Sequence, residues 1–270
     1  MGKGNFILGT GSSSIGDVTF ARRNGQQIAR VRVRKIKNPK SYGQAEQRMI
    51  SAEVVKFYSP LSGVLETSFE GLSKSESYAK FLSINMNLAR ANGWPSVKGQ
   101  YHPYPYVISE GSLGFPEYDV TYFVVGEPEQ GQSVDNLGVL SSLILAKYPQ
   151  LQTGDQITII GWVGDAETGW NVKYTRFFLD AESTDALPAG IGYSAKGGVY
   201  FPSDEPMAIA VIFSRWDGEK WARSNSKVAS SPDYMESWVT AANYAAAVAS
   251  YMKGAGRTPV SDVYLNGSDD

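Results

Sequence analysis

The sequence predicts a mainly β protein of the α+β class: an antiparallel β-sandwich core with a short helical insert and a C-terminal helix. Three observations predict it. Strand-like runs edged by Gly, Pro, Asp or Ser recur from Tyr101 to Pro232. Two amphipathic helical patterns lie between Ser41 and Ala91. An Ala-rich run, Ala241-Ala242-Asn243-Tyr244-Ala245-Ala246-Ala247, supplies high helix propensity towards the C-terminus. Antiparallel strands with polar turns at this density fit a sandwich. The expected organisation is a basic hairpin plus helical segment over 1–100, the sandwich over 101–232 and a helix with a polar tail over 233–270, within one continuous folded unit.

In chain order, Gly9-Thr10-Gly11-Ser12-Ser13-Ser14-Ile15-Gly16 comes first. It lacks the Gly-Lys-Ser/Thr ending of a phosphate loop and no strong helix follows, so it reads as a flexible or strand-linking stretch. Residues 17–21 and 26–34 then flank Asn24-Gly25, a dipeptide suited to the positive φ angles of a tight hairpin turn. The second strand alternates, with Arg30, Arg32 and Arg34 on one face and Ala29, Val31 and Val33 on the other. Those arginines stand about 6.5 to 7 Å apart, close to the phosphate spacing of an extended nucleic-acid strand. The same pattern also makes a solvated strand face that discourages edge-to-edge pairing, and no aromatics are interleaved with it for base stacking.

After Asn38-Pro39 the pattern turns helical. Ser41 and Gln44 form a candidate capping box, and Ala45, Met49, Ala52 and Val55 keep helical spacing until Pro60. A second apolar piece covers 61–69. A further helix over 76–91 places Tyr78, Phe81, Leu82, Met86 and Ala89 on one side, a core stripe, and stops near Asn92-Gly93. Strands are expected at 103–109, 118–125, 156–164, 170–180, 207–215 and 219–229, with Asp217-Gly218 turning between the last two. Helices are expected at 134–148 and 234–253, the second ended by Gly254 and Gly256.

Composition removes several kinds of chemistry. The 270 residues are 42% hydrophobic, enough to bury a core without disulfides or metals. With no cysteine, thiolate nucleophiles and cysteine-ligated metals are excluded. His102 is the only histidine, so any Ser/His/Asp triad or two-histidine metal site must use it or fail. It sits in Tyr101-His102-Pro103-Tyr104-Pro105-Tyr106 without a catalytic pattern of Ser or Asp, and reads as a packing or surface histidine. The tyrosines around it make either a sugar or protein contact surface or ordinary packing. Asp165, Glu167, Asp180 and Glu182 lie near strand ends among Trp162, Trp170 and Tyr174, the residue types of a glycosidase carboxylate pair. Turn-forming, solvated acids account for them without special placement. No cofactor, metal site or catalytic residue is expected. Phe6-Ile7-Leu8 is too short for the apolar core of a secretory leader, and no window approaches the ~18 apolar residues of a membrane span. The cytoplasm is the expected place of synthesis, with no membrane partner.

Net charge is only −2, but it is unevenly spread. Residues 1–56 hold eleven Lys and Arg against Asp17, Glu46 and Glu53, a surplus of eight that leaves −10 for the remainder. Such asymmetry suits contact with a polyanion, or pairing of opposite fields within or between copies. The candidate contact residues are Arg22, Arg23, Arg30, Arg32, Arg34, Lys35, Lys37 and Lys40, facing nucleic acid or an acidic partner.

The run Val33-Arg34-Lys35-Ile36-Lys37-Asn38-Pro39-Lys40-Ser41-Tyr42-Gly43-Gln44-Ala45-Glu46-Gln47-Arg48, followed by Phe57-Tyr58-Ser59-Pro60-Leu61, resembles an uncharacterised family of β-rich proteins from Bacteroidota and their mobile elements. That family carries a Gly-rich start, a basic strand, an Asn-Pro-x-Thr/Ser-x-x-Gln-x-x-x-Arg helix start and a Phe-x-x-Pro-Leu helix. Trp221-Ala222-Arg223-Ser224-Asn225-Ser226-Lys227 resembles its closing strand, with a recurring Ser-Asn-Ser. The resemblance runs over 15–71 and returns at 207–229. It implies a β-sandwich core, a short helical insert and a phage or mobile-element origin, and carries over no catalytic residue. The function expected is therefore a non-catalytic structural protein that assembles with copies of itself, such as a virion component whose basic hairpin meets nucleic acid or an acidic neighbouring subunit. The alternative is a monomeric carbohydrate- or peptide-binding module.

Overall fold

A computed structural model describes residues 13–15, 18–23, 26–31, 41–96, 101–165, 169–194, 197–201 and 208–253. Contacts divide the chain into two units, Met1–Lys40 and Ser41–Asp270. The first unit contains β1 (Ser13–Ile15), β2 (Val18–Arg23) and β3 (Gln26–Val31), an antiparallel sheet in the order β1-β2-β3. Arg23 pairs with Gln26, leaving the two residues Asn24 and Gly25 between the strands, the spacing of a two-residue hairpin. Part of the expected flexible stretch is thus strand: Ser13 pairs with Phe20 and Ile15 with Val18.

The second unit begins with α1 (Tyr42–Tyr58), whose buried face is Ala45, Met49, Ile50, Glu53, Val54 and Phe57. Ser41 sits at its N-cap, but the expected capping box does not form. Ser41 makes no side-chain cap bond, and its carbonyl accepts from Gln44 and Ala45 instead. Pro60, with no N–H to give, falls in the 3₁₀ turn Ser59–Leu61, after which the single-turn helix α2 (Ser62–Leu65) follows. The reciprocal start belongs to α3 (Lys74–Ala91), where Ser73 N and Ser73 Oγ donate to the Glu76 carboxylate at 3.0 and 2.6 Å. Asn92 and Gly93 end α3, with Gly93 in the left-handed region at φ 59° and Trp94 N bonding the Ala89 carbonyl. The buried stripe of α3 is Ser77, Phe81, Asn85 and Ala89. Asn85 is there for a reason: its amide donates to Val107 O and accepts from Val107 N, both at 2.8 Å, satisfying a strand edge the helix covers.

That strand is β4 (Val107–Ser109). Next come β5 (Phe123–Val124), α4 (Leu137–Lys147), β6 (Gln156–Asp165), β7 (Gly169–Phe178), β8 (Gly192–Ser194), β9 (Gly198–Tyr200) and β10 (Ala208–Trp216). The chain continues through β11 (Trp221–Arg223), β12 (Ser226–Lys227), β13 (Ala229–Ser230), α5 (Pro232–Trp238) and α6 (Ala241–Lys253). The main antiparallel sheet has the order β11-β10-β6-β7, with β13 also pairing β10. A two-residue period sorts its side chains into two cores. Ile160, Trp162, Ala208, Ala210 and Ile212 face a helical layer of α1, α3 and α6 through Phe57, Phe81 and Val248. Ile157, Ile159, Ile209, Val211 and Phe213 face α4 and the small antiparallel sheet β5-β9-β8, through Leu140, Ile144, Phe123 and Val199.

The fold is α+β with antiparallel sheets, as expected, and the additions have physical causes. Residues 42–91 are more than an insert, because their helices cover one whole face of the main sheet. The expected strand at 219–229 breaks into β11, β12 and β13, held by the Ser-Asn-Ser motif. Ser224 Oγ accepts from Phe213 N at 2.9 Å, Ser226 Oγ donates to Val211 O, and Asn225 bonds Gly111 in both directions. These side chains, with Ser224 and Ser226 buried and Asn225 partly so, replace ladder bonds that a continuous strand would have made. The expected helix at 234–253 breaks at Val239-Thr240, where Thr240 Oγ1 accepts from Asn243 N and restarts the helix. The strands β8 and β9 begin with Gly192 and Gly198, which hide them from propensity. A Cβ at Gly198 would come within 2.3 Å of the Tyr122 ring.

Candidate functional site

The basic residues singled out in the sequence divide between described and undescribed parts. Arg22 and Arg23 end β2 beside the turn, and Arg30 lies on β3 opposite Thr19. Arg30 is four residues along β3 from Gln26, so about 13 Å of strand separates it from the turn pair. Arg32, Arg34, Lys35, Lys37 and Lys40 lie outside the described residues. The unit boundary sharpens the charge pattern: Met1–Lys40 carries nine Lys and Arg against Asp17 alone, and all of the surplus of eight falls there.

His102 is a packed residue, fully buried, and its partner is the equally buried Glu53 of α1. His102 N donates to Glu53 Oε1, and its Nδ1 stands 3.3 Å from the same oxygen. Trp238 of α5 lies nearly parallel to the imidazole at 4.9 Å. Burial first, and the Glu53 charge second, push the Tyr101 hydroxyl up to about 12 and raise those of Tyr106 and Tyr234 further. Among the described residues, Glu53 Oε2, His102 Nε2, Tyr106 Oη and Tyr234 Oη have no hydrogen-bond partner. Of the acids considered for hydrolysis, Asp180 accepts from Glu182 N at 3.0 Å, an exposed turn role. Glu167 lies outside the described residues.

Sequence reading missed a second site, in the second unit. Cross-strand register aligns Arg176, Thr158 and Ile212 in one row, and Phe178, Gln156, Ser214 and Arg223 in the next. Alternate residues share a face, so Arg176 from edge strand β7 and Arg223 from edge strand β11 stand over the same side of the sheet. Both grip the α2 segment. Arg176 Nη2 donates to Gly63 O at 3.0 Å, while Arg223 Nε and Nη2 donate to Thr67 O and Oγ1 at 2.7 Å. Arg223 also donates to Ser214 Oγ and stacks on Trp221 at 4.6 Å. Between them lies a cleft of about 360 Å³ that Thr158, Gln156 and Lys74 also line.

The electrostatics of this cleft are unbalanced. Arg223 is only 6% exposed, yet among the described residues no carboxylate lies within ion-pair distance of it or of Arg176. Glu66 is taken by Lys74 at 2.7 Å. Glu70 accepts from Ser112 and from the Arg223 main-chain N–H, not from its guanidinium. Burial, and then the nearby charge of Arg176, push the Arg223 guanidinium down to about 10. The only signal in the sequence was two arginines in separate strands, which says nothing about their meeting.

The fold and these sites define an α+β protein with a basic β unit and, in its larger unit, an arginine-lined cleft. A family model described as a family of unknown function (DUF6266) matches residues 10–122, so this part of the chain is similar to an uncharacterised domain. No curated protein matches the chain, and no solved structure does. Among the described residues, no helix is long and apolar enough to cross a membrane, and no three metal-ligating side chains cluster.

Proposed function

We propose that the protein is a non-catalytic assembly protein, a virion component of phage or mobile-element origin in Bacteroidota, whose basic N-terminal unit docks on an acidic neighbouring copy or on nucleic acid. One observation carries the reading: a 40-residue β unit with a charge surplus of eight precedes a larger unit whose sequence bears −10. A sheet this small buries little core and gains stability from a surface that covers it. Opposite charges on the two units favour head-to-tail contact between copies, which closes into rings or grows into filaments. Light scattering after size exclusion, at low and high salt and with or without single-stranded DNA, tests this. The expected result is a particle that dissociates as salt rises, and the loss of that particle in the Arg30/Arg32/Arg34→Ser variant. A monomer indifferent to salt and DNA, with wild type and variant alike, overturns it.

A second reading, a carbohydrate- or peptide-binding module, has one specific observation behind it. Tyr101, Trp170 and Tyr174 line an open cleft of about 500 Å³ with Lys56 and Asn171. Aromatic walls with a few polar groups suit a sugar ring or a peptide side chain. Glycan or peptide binding that Tyr174→Ala abolishes would favour it.

A further inference from the structure

We propose that the cleft between Arg176 and Arg223 binds the phosphate group of a small phosphate monoester, or inorganic phosphate itself. A buried guanidinium without a counter-charge is costly, and folds keep such a group where something outside the chain completes it or where main-chain acceptors suffice. Here each guanidinium nitrogen of Arg223 has an acceptor, but every one of those acceptors is neutral. Arg223 has five N–H groups, and the described bonds to Thr67 and Ser214 use three of them. The nearby charge it feels is that of a second cation, Arg176, which lines the same cleft while its guanidinium packs over the Tyr174 ring at 5.3 Å.

Geometry and charge select the ligand class. A planar carboxylate is best met by one guanidinium, two parallel N–H groups in one plane. In this cleft the two guanidinium groups come from opposite edges of the sheet and are fixed by Gly63 O and Thr67 O at separate points along the α2 segment. Donors arriving from different directions suit a tetrahedral anion. The lining charges, Arg176, Arg223 and Lys74 against Glu66, sum to +2, which complements a phosphate monoester of about −1.5 to −2 at neutral pH. The cleft's about 360 Å³ is near the lower end for small-molecule sites and leaves room for a short organic group beside the phosphate, along Trp221. This inference concerns the second unit and stands or falls apart from the assembly proposal.

Isothermal titration of the full chain, in buffer free of phosphate and sulfate, tests it with three probes: inorganic phosphate, glycerol phosphate and acetate. The expected result is one-to-one uptake of at least one phosphate probe, with acetate about ten-fold weaker or worse. Arg176→Gln should weaken that uptake by about ten-fold or more, the scale of one lost charge-assisted bond, and Arg176→Lys should restore part of it. Arg176 is exposed, so its variants should keep the wild-type circular dichroism spectrum and thermal midpoint. Tighter binding of glycerol phosphate than of phosphate assigns a monoester; the reverse assigns the free ion. No heat and no thermal shift with either phosphate probe at millimolar concentration overturns the proposal. So does acetate binding as tightly as phosphate, or wild-type affinity in Arg176→Gln.

Discussion

Replacing Phe57 by alanine tests whether the helical layer and the main sheet share one core. The Phe57 side chain is fully buried. It stacks on Trp162 of β6 at 5.4 Å and meets Tyr106 at 4.4 Å, Phe81 of α3 at 6.2 Å and Tyr101 edge-on at 6.2 Å. Truncation removes the ring that joins helix to sheet and leaves a cavity whose aromatic walls are held by their own packing. Phe→Ala in such sites costs about 3–5 kcal/mol, and the ring contacts place this one in the upper half, about 4 kcal/mol. That is a large part of the 5 to 15 kcal/mol roughly typical of a whole domain. All six tryptophans lie beyond Lys40, so their fluorescence in urea follows the second unit alone. With a urea slope of about 1–3 kcal/mol per molar, the midpoint should fall by more than about 1 M. Phe178→Ala is the control, since that side chain is 56% exposed and its loss should change stability by no more than about 0.5 kcal/mol. If Phe57→Ala is as mild as the control at an unchanged slope, the helices are an appendage and the shared-core argument fails.

Asp155 is 1% exposed and accepts both Arg215 Nε at 2.8 Å and Arg215 Nη2 at 2.6 Å, so Arg215→Ala strands a buried carboxylate. A loss of about 3 kcal/mol is expected in the same urea assay, with the Arg215→Ala/Asp155→Asn double variant milder than the single one. A double variant worse than either single change would contradict the pairing. At Gly111, a Cβ would come within 2.3 Å of Arg223 O and 2.6 Å of Glu70 Oε2. Gly111→Ala should therefore cost about 1–3 kcal/mol, whereas Gly63→Ala, with nothing within 4 Å, should show no such clash penalty in its thermal midpoint. High pH gives the fourth test. Burial raises Tyr101, Tyr118 and Tyr148 from 10.0 to about 12, so the stability they contribute is complete below about pH 10 and is lost as pH rises through 12. Tyrosinate absorbance should rise together with loss of ellipticity. A rise that reaches its full extent with ellipticity intact would refute the burial argument.

Periodicity and turn chemistry are properties of neighbouring residues, so they could be read directly. The Asn24-Gly25 dipeptide and the alternation after it marked the hairpin, Pro60 and Asn92-Gly93 marked the ends of α1 and α3, and turn-edged runs marked β6 and β10 as strands. Charge segregation was equally plain, since it needs only a count along the chain. Short strands such as β8 and β9 escaped because glycines give no apolar signal, and their pairing is decided by partners such as Phe123 and Val199. Two interactions depended wholly on tertiary structure. Glu53 meets His102 across 49 residues only because α1 crosses the Tyr101–Tyr106 segment, and a lone glutamate in a helix carries no mark of that. Arg176 and Arg223 line one cleft because the strand order β11-β10-β6-β7 and its register put both on one face, beside α2 and the turn that follows it. Local sequence determines which face a side chain takes, but the sheet order determines what it faces, and the energy of an unpaired charge depends on the second.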